Sequence, residues 1–148
     1  MKPLSSILDT KDDEIISDAL WSWAYLTGME SFKIEDLAPF LPLDKLCNFL
    51  GCEKQLIVIP AVRLIGNLCF GSDQLIDALL DAGMLKVVAK ILATESSTQI
   101  LKGCTYMLYN VAAGPSRHIV KLIASGIVKS LCEIALSKHF EPEVCYSN

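Results

Sequence analysis

Three pairs of side chains, each spaced four residues apart, have types that could act together: Trp21 with Tyr25, Arg63 with Asn67, and Tyr106 with Asn110. Residues four apart share one face of a helix. An Asn amide offers one acceptor and two donors, so Asn67 and Asn110 suit the backbone C=O and N–H of an extended chain and would fix its register without reading its sequence. Trp21 and Tyr106 offer ring faces to the stem of a long basic side chain, with a cation–π attraction of roughly 0.5 to 2 kcal/mol each. Acids stand on or beside the same stripe. Asp18 lies three residues before Trp21, Glu14 lies one turn further back, and Asp73 follows the Asn67 segment. This is the chemistry of holding a positively charged chain, not of transforming one.

Catalytic and metal chemistry have little to build on. His118 and His139 are isolated, with no Ser, Cys or carboxylate at a matching spacing, so no nucleophile and base are paired. The six cysteines, Cys47, Cys52, Cys69, Cys104, Cys132 and Cys145, never form C-x-x-C. They read as small core residues in a reducing compartment, with no metal, disulfide or cofactor role.

Composition narrows the partners. The 148 residues are 52% hydrophobic and 20% charged, enough apolar side chain for a sizeable core. Thirteen Lys and Arg against 17 Asp and Glu leave a net charge of −4, which disfavours nucleic acid and favours a basic partner. Arg63 and Asn67 interrupt the longest apolar run, Leu56 to Phe70, so a membrane span is not expected. The segment from Met1 to Thr10 lacks the pattern of a secretory signal.

The elements that must position the three pairs repeat. Gly83–Ala93 matches Gly126–Leu136 in pattern, Leu41–Gly51 is a weaker copy, and the steps between them are 42 and 43 residues. Trp21–Gly28, Arg63–Gly71 and Tyr106–Gly114 keep the same step, each ending in a glycine suited to stop a helix. Polar stretches such as Thr94–Thr98 separate the two kinds of segment, and Ser72 begins a third kind with a helix-capping residue.

One repeat is therefore three helices. An all-helical period in the forties is the length of armadillo or HEAT units, which bury their faces only by stacking. The expected fold is all-α, a right-handed superhelical solenoid of three-helix armadillo repeats in a single domain, 1–148. It divides into a partial repeat 1–28, repeats 29–71 and 72–114, and an incomplete repeat 115–148. Leu4–Leu8 reads as the tail of a second helix, and Pro60 should restrict or kink the apolar helix that carries Arg63 and Asn67. No polar capping unit is visible, so the chain reads as a fragment, or as one whose ends meet another protein or another copy of itself.

Each candidate also has a plainer reading. Trp21 and Tyr106 could pack between repeats, and Asn67 and Asn110 could bond the backbone of a neighbouring helix. Arg63 could pair with an acid on an adjacent repeat and staple the stack. Trp23, Met107, most leucines and the cysteines fall on buried stripes and read as core.

With those residues in hand the chain resembles the importin-α family, the armadillo adaptors of nuclear import. Family-like wording runs through Trp21–Gly28, Ile59-Pro-Ala-Val-Arg-Leu-Ile-Gly-Asn67, Asp81-Ala-Gly83 and Asn110-Val-Ala-Ala-Gly114, in the family's order and spacing. The resemblance implies a non-catalytic binder of Lys/Arg-rich nuclear localisation signals that works in cytoplasm and nucleus, with other transport factors as partners. Matched by order, it covers the central to later repeats, with Arg63 standing where a Trp is usual. Tyr106 in place of Trp, Gly103 in place of an acid, and the bulk of Phe70 and Tyr109 imply a weakened downstream pocket.

Overall fold

The computed structural model describes residues 6–94 and 97–136. Leu4 and Ser5, Glu95 and Ser96, and everything from Ser137 onward, including His139 and Cys145, lie outside them. Nine α-helices and one 3-10 turn make up these residues: α1 Asp13–Gly28, α2 Ile34–Leu37 with the turn Ala38–Phe40, α3 Leu43–Leu50, α4 Gln55–Leu68, α5 Asp73–Asp81, α6 Met84–Thr94, α7 Thr98–Ala112, α8 Ser116–Ala124 and α9 Ile127–Leu136.

Local chemistry sets several of the boundaries. Asp12 caps α1 by accepting from the backbone N–H of Glu14 at 3.0 Å and of Ile15 at 3.3 Å. Ser72 caps α5 through Leu75 N–H at 3.4 Å. Gly83 and Gly126 sit at φ 90° and 76° in the sharp turns α5–α6 and α8–α9, a left-handed conformation that glycine adopts freely. The glycines expected to stop helices stand at or just past the helix ends, Gly28 closing α1 and Gly71 and Gly114 following α4 and α7, without the left-handed φ of Gly83 and Gly126. A Cβ on Gly114 would lie 2.5 Å from His118 Nδ1, so this glycine admits a close approach. Helix α4 runs from Gln55 through Pro60 without a break. The carbonyl left without a donor is that of Leu56, in the first turn at an exposed residue, where water can satisfy it.

The helices stack in two rows. α1 packs on α4 and α4 on α7, while α3, α6 and α9 form a second row behind them. One continuous core runs between the rows, through Leu20, Trp23, Leu46, Leu64, Ile65, Leu68, Leu79, Met84, Ile100 and Met107. α4 is buried on most of its circumference because it has neighbours on three sides, which explains its nearly uninterrupted apolar sequence. Cys47, Cys69 and Cys104 are core residues, whereas Cys52 is half-buried and Cys132 exposed, a departure from the expectation that the cysteines are core. Burial pushes the Cys47 thiol up to about 11 and the Cys69 thiol up to about 12, so neither is a reactive thiolate near neutral pH. No described helix is long and apolar enough to cross a membrane.

Candidate functional site

Stacking α1, α4 and α7 lines up their outer stripes, and two adjoining cavities open along the result. The first, of about 640 Å³, is lined by Trp21 and Tyr25 from α1, Ile59, Val62, Arg63 and Gly66 from α4, and residues 98–100, 102, 103 and 106 of α7. The second, of about 480 Å³, is lined by the end of α1 with Glu30, Phe32, Ile34 and Glu35, by Asn67 and Phe70, and again by Arg63 and Tyr106. Shared walls make the two cavities one groove, with Arg63 and Tyr106 at the junction.

Within this groove Trp21 and Tyr25 stack, their ring centroids 5.7 Å apart and their planes inclined by 24°. Tyr25 is 67% exposed, so its ring is available to a ligand. Tyr106 lies against the backbone of Gly66, where a Cβ would come within 3.3 Å of its ring, and keeps nearly half its surface open. Glu14 and Asp18 are exposed on the Trp21 face of α1, beyond the lined cavities. Acids therefore line the groove on its Asn67 side, at Glu30 and Glu35, while Glu14 and Asp18 stand outside it beyond Trp21.

The two asparagines do not behave as equivalent rungs. Asn67 Nδ2 donates to Ala24 O at 2.8 Å and to Thr27 Oγ1 at 3.1 Å, joining α4 to α1. The carbonyl of Ala24 requires the amide nitrogen on that side, which fixes the orientation and leaves Oδ1 as the group open to a ligand. Asn110 is only 9% exposed and lines neither cavity, and its Nδ2 has no hydrogen-bond partner among the described residues. The expectation that Asn110 presents its amide to a ligand is corrected: α7 turns it into the packed side of the helix.

Asp73 is likewise displaced from the role expected of it. It lies 3.9 Å from Arg117 in a row of ion pairs between the first helices α5 and α8. In that row Asp77 takes both Nε and Nη2 of Arg117, the latter at 2.9 Å, and meets buried His118 Nε2 at 3.0 Å; Lys121 reaches Asp81 at 3.0 Å. The hydrogen bonds from Arg117, with a further contribution from His118, hold the Asp77 carboxyl below its usual value. The row went unread in the sequence because its partners stand 40 residues apart, three short of the hydrophobic step. Two basic residues one turn apart on α8, matched to Asp77 and Asp81 one turn apart on α5, were its signal.

Arg63, by contrast, has no acid partner among the described residues, so the staple is supplied by the other arginine, Arg117. Gly103 also takes a different meaning. A Cβ there would lie 2.0 Å from Val62 Cγ1, so its absence lets α7 close on α4. This residue shapes the groove, where it lines the first cavity. Glu30, Glu35 and Lys102 were not assigned as lining residues from sequence. Glu30 sits in the connection after α1 and Glu35 in the short helix α2, both outside the helical spacing that identified the rest.

With the geometry in place, comparison with known proteins bears on the family. No family model matches the chain. It is 26% identical over 128 residues to importin subunit alpha-1a of Oryza sativa subsp. japonica, covering 86% of this chain and 24% of that protein. It is 25% identical over 137 residues to importin subunit alpha-4 of Arabidopsis thaliana, covering 93% and 26%, and 29% identical over 107 residues to importin subunit alpha-2 of Caenorhabditis elegans, covering 72% and 20%. A designed armadillo repeat protein in complex with the peptide (KR)4 superimposes with a TM-score of 0.86 at 27% identity, over 97% of this chain and 59% of that one. The chain is an importin-α-like stack of armadillo repeats. It spans about a quarter of the length of the curated relatives it matches. In this stack the aromatic rings of Trp21, Tyr25 and Tyr106 line the groove, whereas Asn110 is packed away from it.

Proposed function

We propose that this importin-α-like stack is a non-catalytic scaffold that holds an extended, Lys/Arg-rich peptide along α1, α4 and α7, the kind of segment that serves as a nuclear localisation signal. The observation that carries the reading is the continuous groove in which Trp21, Tyr25, Arg63, Asn67 and Tyr106 are brought together from three helices, with Glu30 and Glu35 lining its Asn67 side and Glu14 and Asp18 exposed beyond its Trp21 end. Exposed ring faces take the stems of Lys or Arg, and the terminal acids take their charges. Asn67 Oδ1 accepts a ligand backbone N–H while its amide nitrogen holds the joint. The relatives' name and the (KR)4 peptide on the designed protein support a basic ligand and a place in nuclear protein import, in cytoplasm and nucleus. The boundaries 1–28, 29–71, 72–114 and 115–148 give the repeats of this scaffold.

The test is a binding isotherm for a fluorescent Lys/Arg-rich peptide on the wild-type chain and on Trp21→Ala plus Tyr106→Ala. Removing two cation–π faces should weaken binding by roughly five- to several-hundredfold. No saturable binding by the wild type, or no loss in the double variant, contradicts the reading.

A second reading rests on a separate observation. Ile119, Val120 and Ile123 of α8 and Val128 of α9 are exposed, whereas Ile76, Leu80 and Leu85, which stand 43 residues earlier than Ile119, Ile123 and Val128, are buried. That face fits a further armadillo repeat, which makes the chain a scaffolding module joined through its end. Sedimentation of the isolated chain separates the readings: self-association abolished by Val120→Lys favours the end face, and a monomer that binds peptide favours the groove.

A further inference from the structure

Four large apolar side chains that reach solvent gather around the second cavity: Met29, Phe32, Phe70 and Tyr106, between 42% and 72% exposed. Separate contacts bring them there. Phe32 N–H donates to Met29 O at 3.2 Å, closing a turn whose two ends line the one cavity. On the opposite wall a Cβ at Gly71 would lie 3.2 Å from Ile34 Cγ2, so its absence lets α2 close on the end of α4 beside Phe70. Tyr106 arrives from α7, against Gly66. Exposed apolar side chains collected in one place mark a surface that meets a ligand.

Two carboxylates give this cluster its charge preference. Glu30 and Glu35 line the same cavity, and neither has an ion-pair partner among the described residues. They outweigh the single cation of the lining, Arg63, which stands at the junction with the first cavity. The other polar groups are committed. The Thr27 hydroxyl donates to Trp23 O at 2.9 Å and accepts from Asn67 Nδ2 at 3.1 Å, and Asn67 Oδ1 is the acceptor already given to the ligand backbone.

What such walls select follows from hydration. A Lys ammonium carries three N–H groups and a tight water shell, which it gives up only for acceptors. Methylation keeps the charge, removes donors, and covers the head with apolar surface that suits aromatic and thioether walls. We infer that the second cavity binds a methylated ammonium, the trimethylated head of a Lys side chain, against Met29, Phe32, Phe70 and Tyr106, with Glu30 and Glu35 as its counter-charge. This rests on the proposed peptide groove and names a modification that its ligand carries at one position. Selectivity comes from the difference between the two lysine forms: both meet the carboxylates, and only the methylated head sheds its water to meet the rings.

Three extended peptides with identical Lys/Arg-rich flanks test this by fluorescence anisotropy. Their central residue is lysine, trimethyl-lysine, or the neutral analogue in which carbon replaces the trimethylated nitrogen. On the wild-type chain the trimethyl-lysine peptide should bind about tenfold more tightly than either of the others. Phe32→Ser plus Phe70→Ser should erase its gain over lysine, and Glu30→Gln plus Glu35→Gln should bring it down to the neutral analogue. All four side chains are exposed, so the fold tolerates the changes. A lysine peptide or a neutral analogue that binds as tightly as trimethyl-lysine overturns the proposal and leaves the peptide groove standing. If none of the three binds, the groove reading falls, and tetramethylammonium alone decides the cavity. A saturable shift of the Met29 methyl signal on adding it, lost in Phe32→Ser plus Phe70→Ser, supports the site, and an unmoved signal overturns it.

Discussion

The two joints of the third-helix row are built at nearly the same repeat step yet held by different chemistry. Between α1 and α4, Asn67 reaches across to Ala24 O and Thr27 Oγ1, so one amide binds the two helices through both its N–H groups. Between α4 and α7, Asn110 has no such bond, and the position 43 residues after Thr27 is Phe70, which has no hydroxyl to offer. This joint relies instead on the close contact of Gly103 with Val62 and on the ion pairs that tie α5 to α8 nearby. A repeated residue type thus carries a repeated role only where its neighbour is repeated too.

The difference can be broken at its strongest point with Gly103→Ala. The added methyl group would overlap Val62 and force α7 outward, at a cost of about 1 to 3 kcal/mol read from the urea midpoint, and Val62→Ala in the same chain should recover much of the loss. The equivalent intrusion has no counterpart at the first joint.

Next in expected size is Asp77→Asn, which removes the carboxylate that Arg117 and His118 share. Because the folded carboxyl titrates below the ordinary 3.8, its contribution is fully present above that value and disappears as pH falls through the lower folded value. Thermal melts should show the wild type losing stability below about pH 4 more steeply than Asp77→Asn. Parallel curves would show that the ion-pair row does not hold the second joint. The groups facing Asp77 in that experiment are Arg117 and His118 on α8, with Asp73 also close to Arg117.

The asparagines sharpen the comparison. Asn67→Ala should cost about 0.5 to 1.5 kcal/mol, and Thr27→Val should remove part of the same energy non-additively. Asn110→Leu should change stability by less than about 0.5 kcal/mol or raise it, since it exchanges a covered, unpartnered amide for an apolar group. Equal losses at the two positions would mean that the joints are more alike than their hydrogen bonds.

How much was legible beforehand follows the same division. The helices and the stripe of Trp21, Tyr25, Arg63, Asn67 and Tyr106 follow from periodicity, because spacing within one helix fixes which residues share a face. Arg63 pointing into the groove without an acid, and Asp73 turning to Arg117, depend on residues about 40 positions away, whose approach is set by packing between helices. Asn110 shows the limit most clearly: its spacing from Tyr106 matches that of Asn67 from Arg63, and only the packing around α7 determines that it is covered. The contact of Gly103 with Val62 was not legible, because sequence reports the side chain that is absent and not the neighbour that fills its space.

The two tryptophans allow one measurement to reach the central claim directly. Trp21 lines the groove, while Trp23, two residues away on the same helix, is fully buried in the core. Titrating ¹⁵N-labelled protein with a Lys/Arg-rich peptide should shift the Trp21 indole N–H signal saturably and leave that of Trp23 in place. An unmoved Trp21 signal, or equal movement of both, would contradict binding in the groove.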